Sequence, residues 1–200
     1  MKPEIKAFNR WDVSAVKVGD PGLKNYITLE PKIAPKTGAR YAGNRFHKSR
    51  VFIIERFINK IMVPGHKGKK HFKSSAHITG KSQNSYAIAE NMLKLIEKRT
   101  KLNPIGVFVK AVENAAQREE IITIEYGGAR YPKAVECAPQ RRVDLVLKLF
   151  VQGSYGKSFG SKKAIETCLA DEVIAAYNLS PDSFALSKKL ETERQADSSR

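Results

Sequence analysis

Glu119-Glu-Ile-Ile-Thr-Ile-Glu-Tyr126, Gly127-Gly-Ala-Arg130, Tyr131-Pro-Lys-Ala-Val-Glu-Cys-Ala138, Pro139-Gln-Arg-Arg142 and Val143-Asp-Leu-Val-Leu-Lys-Leu-Phe-Val151 follow one another without a break, and their reading decides the fold. Ile122, Ile124 and Tyr126 alternate with more polar neighbours before Gly127-Gly128, and Tyr131, Lys133, Val135 and Cys137 alternate after it. Period-two alternation on both sides of a glycine pair predicts a hairpin over about residues 119–138. Pro139 then stands where a first-turn helix proline belongs, and the apolar spacing changes to that of a helix. No other strand pair is apparent. A lone two-stranded ribbon buries little by itself, so this one reads as an arm held out towards a partner.

The rest of the chain is helical in pattern. Val51, Ile54, Phe57, Ile58 and Ile61 share one face of a helix that begins near Ser49 and stops at Pro64-Gly65. A second helix is expected from Ser82 to Thr100, with Ile88, Met92, Leu95 and Ile96 inward. Asn103-Pro104 supplies the cap and first turn of a third, whose inner face is Ile105, Phe108, Val109, Val112 and Ala115. The fourth, after the ribbon, buries Val143, Val146, Leu147 and Phe150 and is expected to end near Gly153. Ser161 is expected to cap a fifth built on Ile165, Leu169, Val173 and Ala176, and a polar sixth follows Ser180-Pro-Asp-Ser183. The expected fold class is therefore mainly α, a bundle of about six helices with one inserted two-stranded antiparallel ribbon. Residues 1–44, broken by Pro3, Pro21, Pro31 and Pro35, read as an irregular basic extension that Phe8, Trp11 and Tyr26 could pin to a core, with a helical domain at 45–200.

Charge points to the partner. The 200 residues carry 36 Lys and Arg against 20 Asp and Glu, a net +16, while the 42% hydrophobic content is that of an ordinary globular core. Between Glu30 and Glu90 the only carboxylate is Glu55, against thirteen Lys and Arg. A solvated face mixes signs, so this run expects a polyanion to neutralise it. Cys137 and Cys168 are far apart, with no disulfide or metal spacing. No apolar leader or membrane-length run is present, and a cytoplasmic protein with no membrane partner is the expectation.

Catalytic readings are weak. Gly153-Ser-Tyr-Gly-Lys-Ser158 resembles a phosphate-binding loop but has two residues where the pattern needs four, and it follows a helix. His66, His71 and His77 are loosely spaced among lysines, which disfavours a metal. Glu119-Glu120 points to opposite strand faces and makes no acid/base pair. Neither an enzyme nor a cofactor is expected. Dispersed Lys and Arg with few aromatics suit duplex RNA better than stacked single strands. The candidate RNA-binding residues are Arg40, Arg45, Lys48 and Arg50 before the first helix; Lys67, Lys69, Lys70 and Lys73 in the loop after it; Arg130 and Lys133 on the ribbon; Arg141, Arg142 and Lys148 on the fourth helix; and Lys157, Lys162 and Lys163 beyond it. The competing reading for Arg141 or Arg142 is an ion pair with Glu136 or Asp144. A competing reading of the whole is a DNA-binding helical protein using its third or fourth helix in a major groove, which the Val, Leu and Phe of the fourth helix oppose.

Gly127 through Arg142, leading into Leu147-Lys-Leu-Phe-Val-Gln-Gly153, closely resembles the signature of the S-seven family of small-subunit ribosomal proteins. Arg56-Phe-Ile-Asn-Lys-Ile-Met62, Pro104 through Asn114, Cys168-Leu-Ala-Asp-Glu172 and Lys188 through Arg194 resemble its other blocks in order, in the archaeal–eukaryotic manner. The resemblance covers about Tyr41 onward. It implies direct binding to the 3′ major domain of small-subunit rRNA, a role in nucleating the head, and a position near exit-site tRNA and the mRNA exit channel. It also implies the S-eleven family member and other head proteins as neighbours. Arg130 and Lys133 then belong to the ribbon, and Arg141 and Arg142 to the family's Pro-x-Arg-Arg element. Leu149 stands where bacterial members often carry tryptophan, and the basic loop 64–81 is longer than theirs.

Overall fold

The computed structural model describes residues 5–64 and 81–200. Its regular elements are α1 (Ile53–Met62), α2 (Lys81–Thr100), α3 (Pro104–Ala115), β1 (Glu119–Tyr126), β2 (Ala129–Glu136), α4 (Pro139–Ser158), α5 (Ile165–Tyr177) and α6 (Phe184–Asp197), with a 3₁₀ turn at His47–Arg50 ahead of α1. Six helices and one antiparallel pair are thus present, as the sequence pattern predicts.

The core is a stack of aromatic and branched side chains contributed by α1, α3 and α4. Phe57, Phe108 and Phe150 lie ring to ring, with centroids 5.0 and 6.3 Å apart. Around them α2 places Ala89, Met92, Leu93 and Ile96, and α5 places Leu169, Ala170, Val173 and Ala176. Asn103 caps α3 as its residue type requires, its side chain accepting the Ile105 N–H at 3.0 Å, with Pro104 in the first turn. Ser183 caps α6 in the same way, accepting from the Leu186 N–H.

Residues 5–46 form neither helix nor strand, but Trp11, Val13, Leu23 and Ile27 sit in the same core cluster as the helices. Residue 44 is therefore a change of local structure and not a change of core. Arg56 holds this segment from inside, donating to the Tyr26 carbonyl at 2.8 Å, while the Thr28 hydroxyl bonds the Ser49 carbonyl.

Three expected boundaries are corrected. α4 runs through Gly153 to Ser158. Gly153 is a contact and not a stop: a β-carbon there would lie 2.8 Å from the Phe184 β-carbon, so its absence lets α6 begin against α4. α5 begins at Ile165 with Ala164 as its cap residue. Ser161 instead accepts the Lys163 N–H in a tight turn, as short hydroxyl side chains do in loops. α1 starts at Ile53, because residues 47–50 close as a 3₁₀ turn.

The ribbon follows from its turn. Gly127 and Gly128 both have positive φ, 58° and 83°, which a two-residue hairpin turn of the right twist requires. The Tyr126–Ala129 pair closes it and the register continues through Ile124–Tyr131, Ile122–Lys133 and Glu120–Val135. These alternate pairs exchange the ladder hydrogen bonds. The series extends to the Cys137 N–H, which reaches the Arg118 carbonyl at 2.8 Å. The intervening residues of β2 turn their backbone nitrogens outward. Pro132 occupies one such position, so it costs the ladder nothing. The base of the ribbon is tied to α6 and the chain beyond it: Glu193 accepts the Arg118 N–H at 2.9 Å, Arg200 pairs with Glu119 at 2.7 Å, and the Ala134 N–H reaches the Ser199 carbonyl.

Candidate nucleic-acid interface

Lys36, Lys48, Arg56 and Lys60 of the basic run come together around one cleft. Segment 36–50, the outer face of α1 and the first turns of α4 enclose a cleft of about 570 Å³, lined by Lys36, Thr37, Tyr41, His47, Lys48, Glu55, Arg56, Asn59, Lys60 and Asp144 among others. Asp144 lies between Lys48 and Arg56, accepting from them at 2.8 and 3.0 Å. Burial pushes the Asp144 carboxyl up, but those two cations outweigh it and hold the group below the usual carboxylate range. Lys60 shows the opposite strain. Partial burial and then the nearby Lys148 charge lower its pKa, against the pull of Asp144. Positive charge here is denser than the local carboxylates can neutralise.

Arg40, Arg45 and Arg50 are exposed and make no ion pair with a described carboxylate. Arg45 and Arg50 line a second, shallower concavity with Tyr41, Phe46 and Ser49. Helical spacing brings Arg141, Asp144 and Lys148 onto one face of α4, so the surface continues along that helix.

Other candidates are placed differently. Arg141 is exposed and grips Glu120 through Nε, at 2.8 and 2.9 Å. Arg142, its neighbour, is only 9% exposed. Its Nε donates to the Gln117 carbonyl and its terminal nitrogen to Asp20, each at 3.0 Å. It therefore acts as an internal clamp joining the N-terminal segment, the α3–β1 junction and α4. The pairing of these two arginines with carboxylates was foreseeable, but the partners are Glu120 and Asp20, not Glu136 and Asp144. Lys157 is engaged too, bonding the fully buried Glu172 at 3.0 Å and the Asp182 carbonyl at 3.1 Å. Lys162 and Lys163 are exposed in the α4–α5 loop, away from the cleft-lining residues and without a described ion pair. Lys67, Lys69, Lys70 and Lys73, with His66, His71 and His77, lie outside the described residues.

The ribbon is poor in positive charge. Across its two strands Glu119, Glu120, Glu125 and Glu136 face only Arg130 and Lys133, and Arg130 lies 3.6 Å from Glu125. One face instead presents Ile122, Ile124, Tyr126 and Tyr131, with Tyr126 80% and Tyr131 59% exposed. That face offers apolar and aromatic contact rather than phosphate neutralisation.

The residues that sequence reasoning passed over are Lys36, Arg56 and Lys60. A signal existed, since all three belong to the basic run and Arg56 and Lys60 are one helical turn apart. Among catalytic possibilities, residues 153–158 are helical and form no loop around a phosphate. Burial, reinforced by Glu120, pushes the Cys137 thiol up and away from thiolate chemistry. Among the described residues no group of His, Cys, Asp and Glu is arranged to hold a metal ion, and no helix is long and apolar enough to cross a membrane.

Comparison with known proteins gives the family. The small ribosomal subunit protein uS7 of Nanoarchaeum equitans is 52% identical over 197 residues, covering 98% of this chain and 100% of that protein. The corresponding uS7 of Archaeoglobus fulgidus is 45% identical over 199 residues, covering 100% and 97%, and that of Methanothrix thermoacetophila is 44% identical, covering 98% and 100%. The family described as ribosomal protein S7p/S5e matches residues 23–200. The chain belongs to the ribosomal protein S7p/S5e family.

Proposed function

We propose that the basic cleft face is the surface through which this chain binds small-subunit rRNA directly. Membership of the family makes the chain a structural constituent of the small ribosomal subunit, at work where that particle is, in the cytoplasm. The observation that carries the rRNA reading is the cluster of Lys48, Lys60 and Lys148 near Asp144, more positive charge than that carboxylate and the buried Glu55 offset. Bare, these cations repel one another; a phosphate backbone laid across them removes the repulsion and releases counterions. Arg40, Arg45, Arg50 and Arg141 extend the surface, and Lys162 and Lys163 form a smaller outlying contact. The RNA is the 3′ major domain, whose folding the protein helps nucleate in the head, near exit-site tRNA and the mRNA exit channel and beside the S-eleven family member. The resemblance of the Gly127–Gly153 block supports that placement. The ribbon contributes apolar contact with a neighbour rather than charge. The DNA-binding alternative finds no support, because the apolar faces of α3 and α4 are spent in the core.

A salt titration of binding to a 3′-domain rRNA fragment tests this. About six neutralised phosphates give a log–log slope of roughly −4 to −5. Joint replacement Lys60→Glu and Lys148→Glu weakens binding by at least about tenfold, given charge-assisted contacts of roughly 1.5–3 kcal/mol each. A salt-independent affinity, or a folded double variant that binds unchanged, removes this face from the interface.

A further inference from the structure

We propose that the exposed ring of Phe46 is a stacking platform for one unpaired nucleobase of the bound RNA, with Arg45 and Arg50 beside it for the flanking phosphates. This rests on the rRNA-binding reading and adds a single-strand contact to it. Phe46 is 60% exposed, and its backbone lies in the left-handed region, φ 52° and ψ 29°, at the entry to the 3₁₀ turn. A bulky L-residue is strained there, and glycine is the residue that local chemistry favours. Phe8, Lys101 and Leu179 also have positive φ, each for a reason within the chain. Phe8 packs its ring against Trp11 and Tyr86, with centroids 5.7 and 5.1 Å away. Lys101 and Leu179 stand just past α2 and α5, where helices commonly end in this conformation. The Phe46 ring lies outside the core cluster and meets the Arg45 guanidinium, 5.9 Å from its centroid. Strain that no internal packing offsets points to a binding role.

Phe46 lines a concavity of about 550 Å³ together with Asn25, Glu30, Tyr41, Arg45 and Arg50. Asn25, Glu30, Arg45 and Arg50 are exposed, and among the described residues none of these four side chains has a hydrogen-bond or ion-pair partner. Lys32 already lies over the Tyr41 ring at 5.8 Å, so Phe46 supplies the open plane. The ligand that fits this set has a flat face, a neutral polar edge and negative charge next to it. An unpaired nucleotide has all three. Its base stacks on a phenyl ring or a guanidinium plane. Its edge meets Asn25 and Glu30, side-chain types that bond exocyclic amines and ring nitrogens. The phosphates on either side meet Arg45 and Arg50. A free phosphate would leave the ring unused and face Glu30, while an apolar protein partner would find one ring among charges, too small a patch. Bases within a duplex have both faces covered by their neighbours, so the nucleotide belongs to a loop, bulge or end.

The test substitutes Phe46 in the full chain and measures Kd for a 3′-domain rRNA fragment alongside Tm. Phe46→Gly removes the ring and relieves the backbone, so Tm should hold or rise while affinity falls about 5- to 100-fold. Phe46→Leu keeps apolar bulk without a flat face and should lose affinity similarly, whereas Phe46→Tyr should keep it. The salt slope should be the same in all of them, since no charge changes. Phe46→Trp gives a direct readout: its added indole fluorescence should be quenched when the RNA binds. The background is Trp11, the natural chain's single tryptophan, which is buried. Unchanged affinity in Phe46→Gly, equal affinities for Phe46→Leu and Phe46→Tyr, or an unquenched indole in Phe46→Trp overturns the stacking site while leaving RNA binding intact. A lowered Tm for Phe46→Gly would make the ring a part of the fold and overturns it too. Binding of the wild-type chain with no salt dependence overturns both readings.

Discussion

Arg141 and Arg142 are adjacent, identical in side chain and exchangeable on paper, and the structure assigns them opposite duties. Replacing Arg142 by alanine strands the Gln117 carbonyl and leaves Asp20 without its cation. Losing one partner of a fully buried ion pair costs about 3–5 kcal/mol, and a stranded buried carbonyl about 1–3. The Asp20 side chain is 24% exposed, so water recovers part of its loss. A cost of about 3 kcal/mol is expected, or a fall in Tm of roughly 6–12 °C for a chain of this size. The Arg141 side chain is 57% exposed, and its pair with Glu120 contributes no more than about 1 kcal/mol. Urea denaturation followed by far-ultraviolet circular dichroism measures both, with the m-value checked for constancy. RNA affinity, measured on protein confirmed to be folded, should fall for Arg141→Ala and hold for Arg142→Ala. Equal destabilisation by the two substitutions, or a shift under about 1 kcal/mol for Arg142→Ala, would refute the clamp.

Three further outcomes are expected. Gly153→Ala brings a methyl group against Phe184 and should cost about 1–3 kcal/mol by thermal melting; an unchanged Tm would mean that α6 shifts freely. The Asp144 pKa is depressed on folding, so its contribution is present above the unfolded value near about 4 and disappears as pH falls through the native value. Asp144→Asn should therefore flatten the acid limb of the stability curve between about pH 4 and 2, and an identical limb would remove Lys48 and Arg56 as its cause. Tyr126→Ser with Tyr131→Ser touches only the exposed ribbon face and should leave stability within about 0.5 kcal/mol, as a urea midpoint would show.

The parts of the fold that were legible are those written in local chemistry. Asn103-Pro104 announces the start of α3, and Gly127-Gly128 fixes a hairpin whose register follows from alternation alone. What misled was local chemistry serving a distant purpose. Gly153 looks like a helix stop but is bare because Phe184 comes close, 31 positions on. On α2 the expected inward Leu95 is half-buried, whereas Leu93 is buried, since the neighbouring helices and not the periodicity choose the line of contact. The basic run was plain, yet which cations stay unpaired was not. Lys48 meets Asp144 across 96 positions and Arg142 meets Asp20 across 122, and no window of sequence spans such distances. The irregular segment shows the same limit: Trp11 could be read as a pin by its size alone, but Val13, Leu23 and Ile27, with no periodicity to mark them, are seen to belong inside only in the finished core.

Pro132 has a further consequence for the chain before it meets its partners. A two-stranded ribbon has two free edges, and an exposed apolar ribbon is the kind of surface on which copies of a protein add strand to strand and precipitate. On the β2 side, Pro132 has no hydrogen to offer an incoming strand, and the next outward donor, that of Ala134, is already taken by the Ser199 carbonyl. The same ribbon that must stay sticky on its face is thus blunted along one edge. Newly made protein can wait, at some concentration, without templating its own aggregation there.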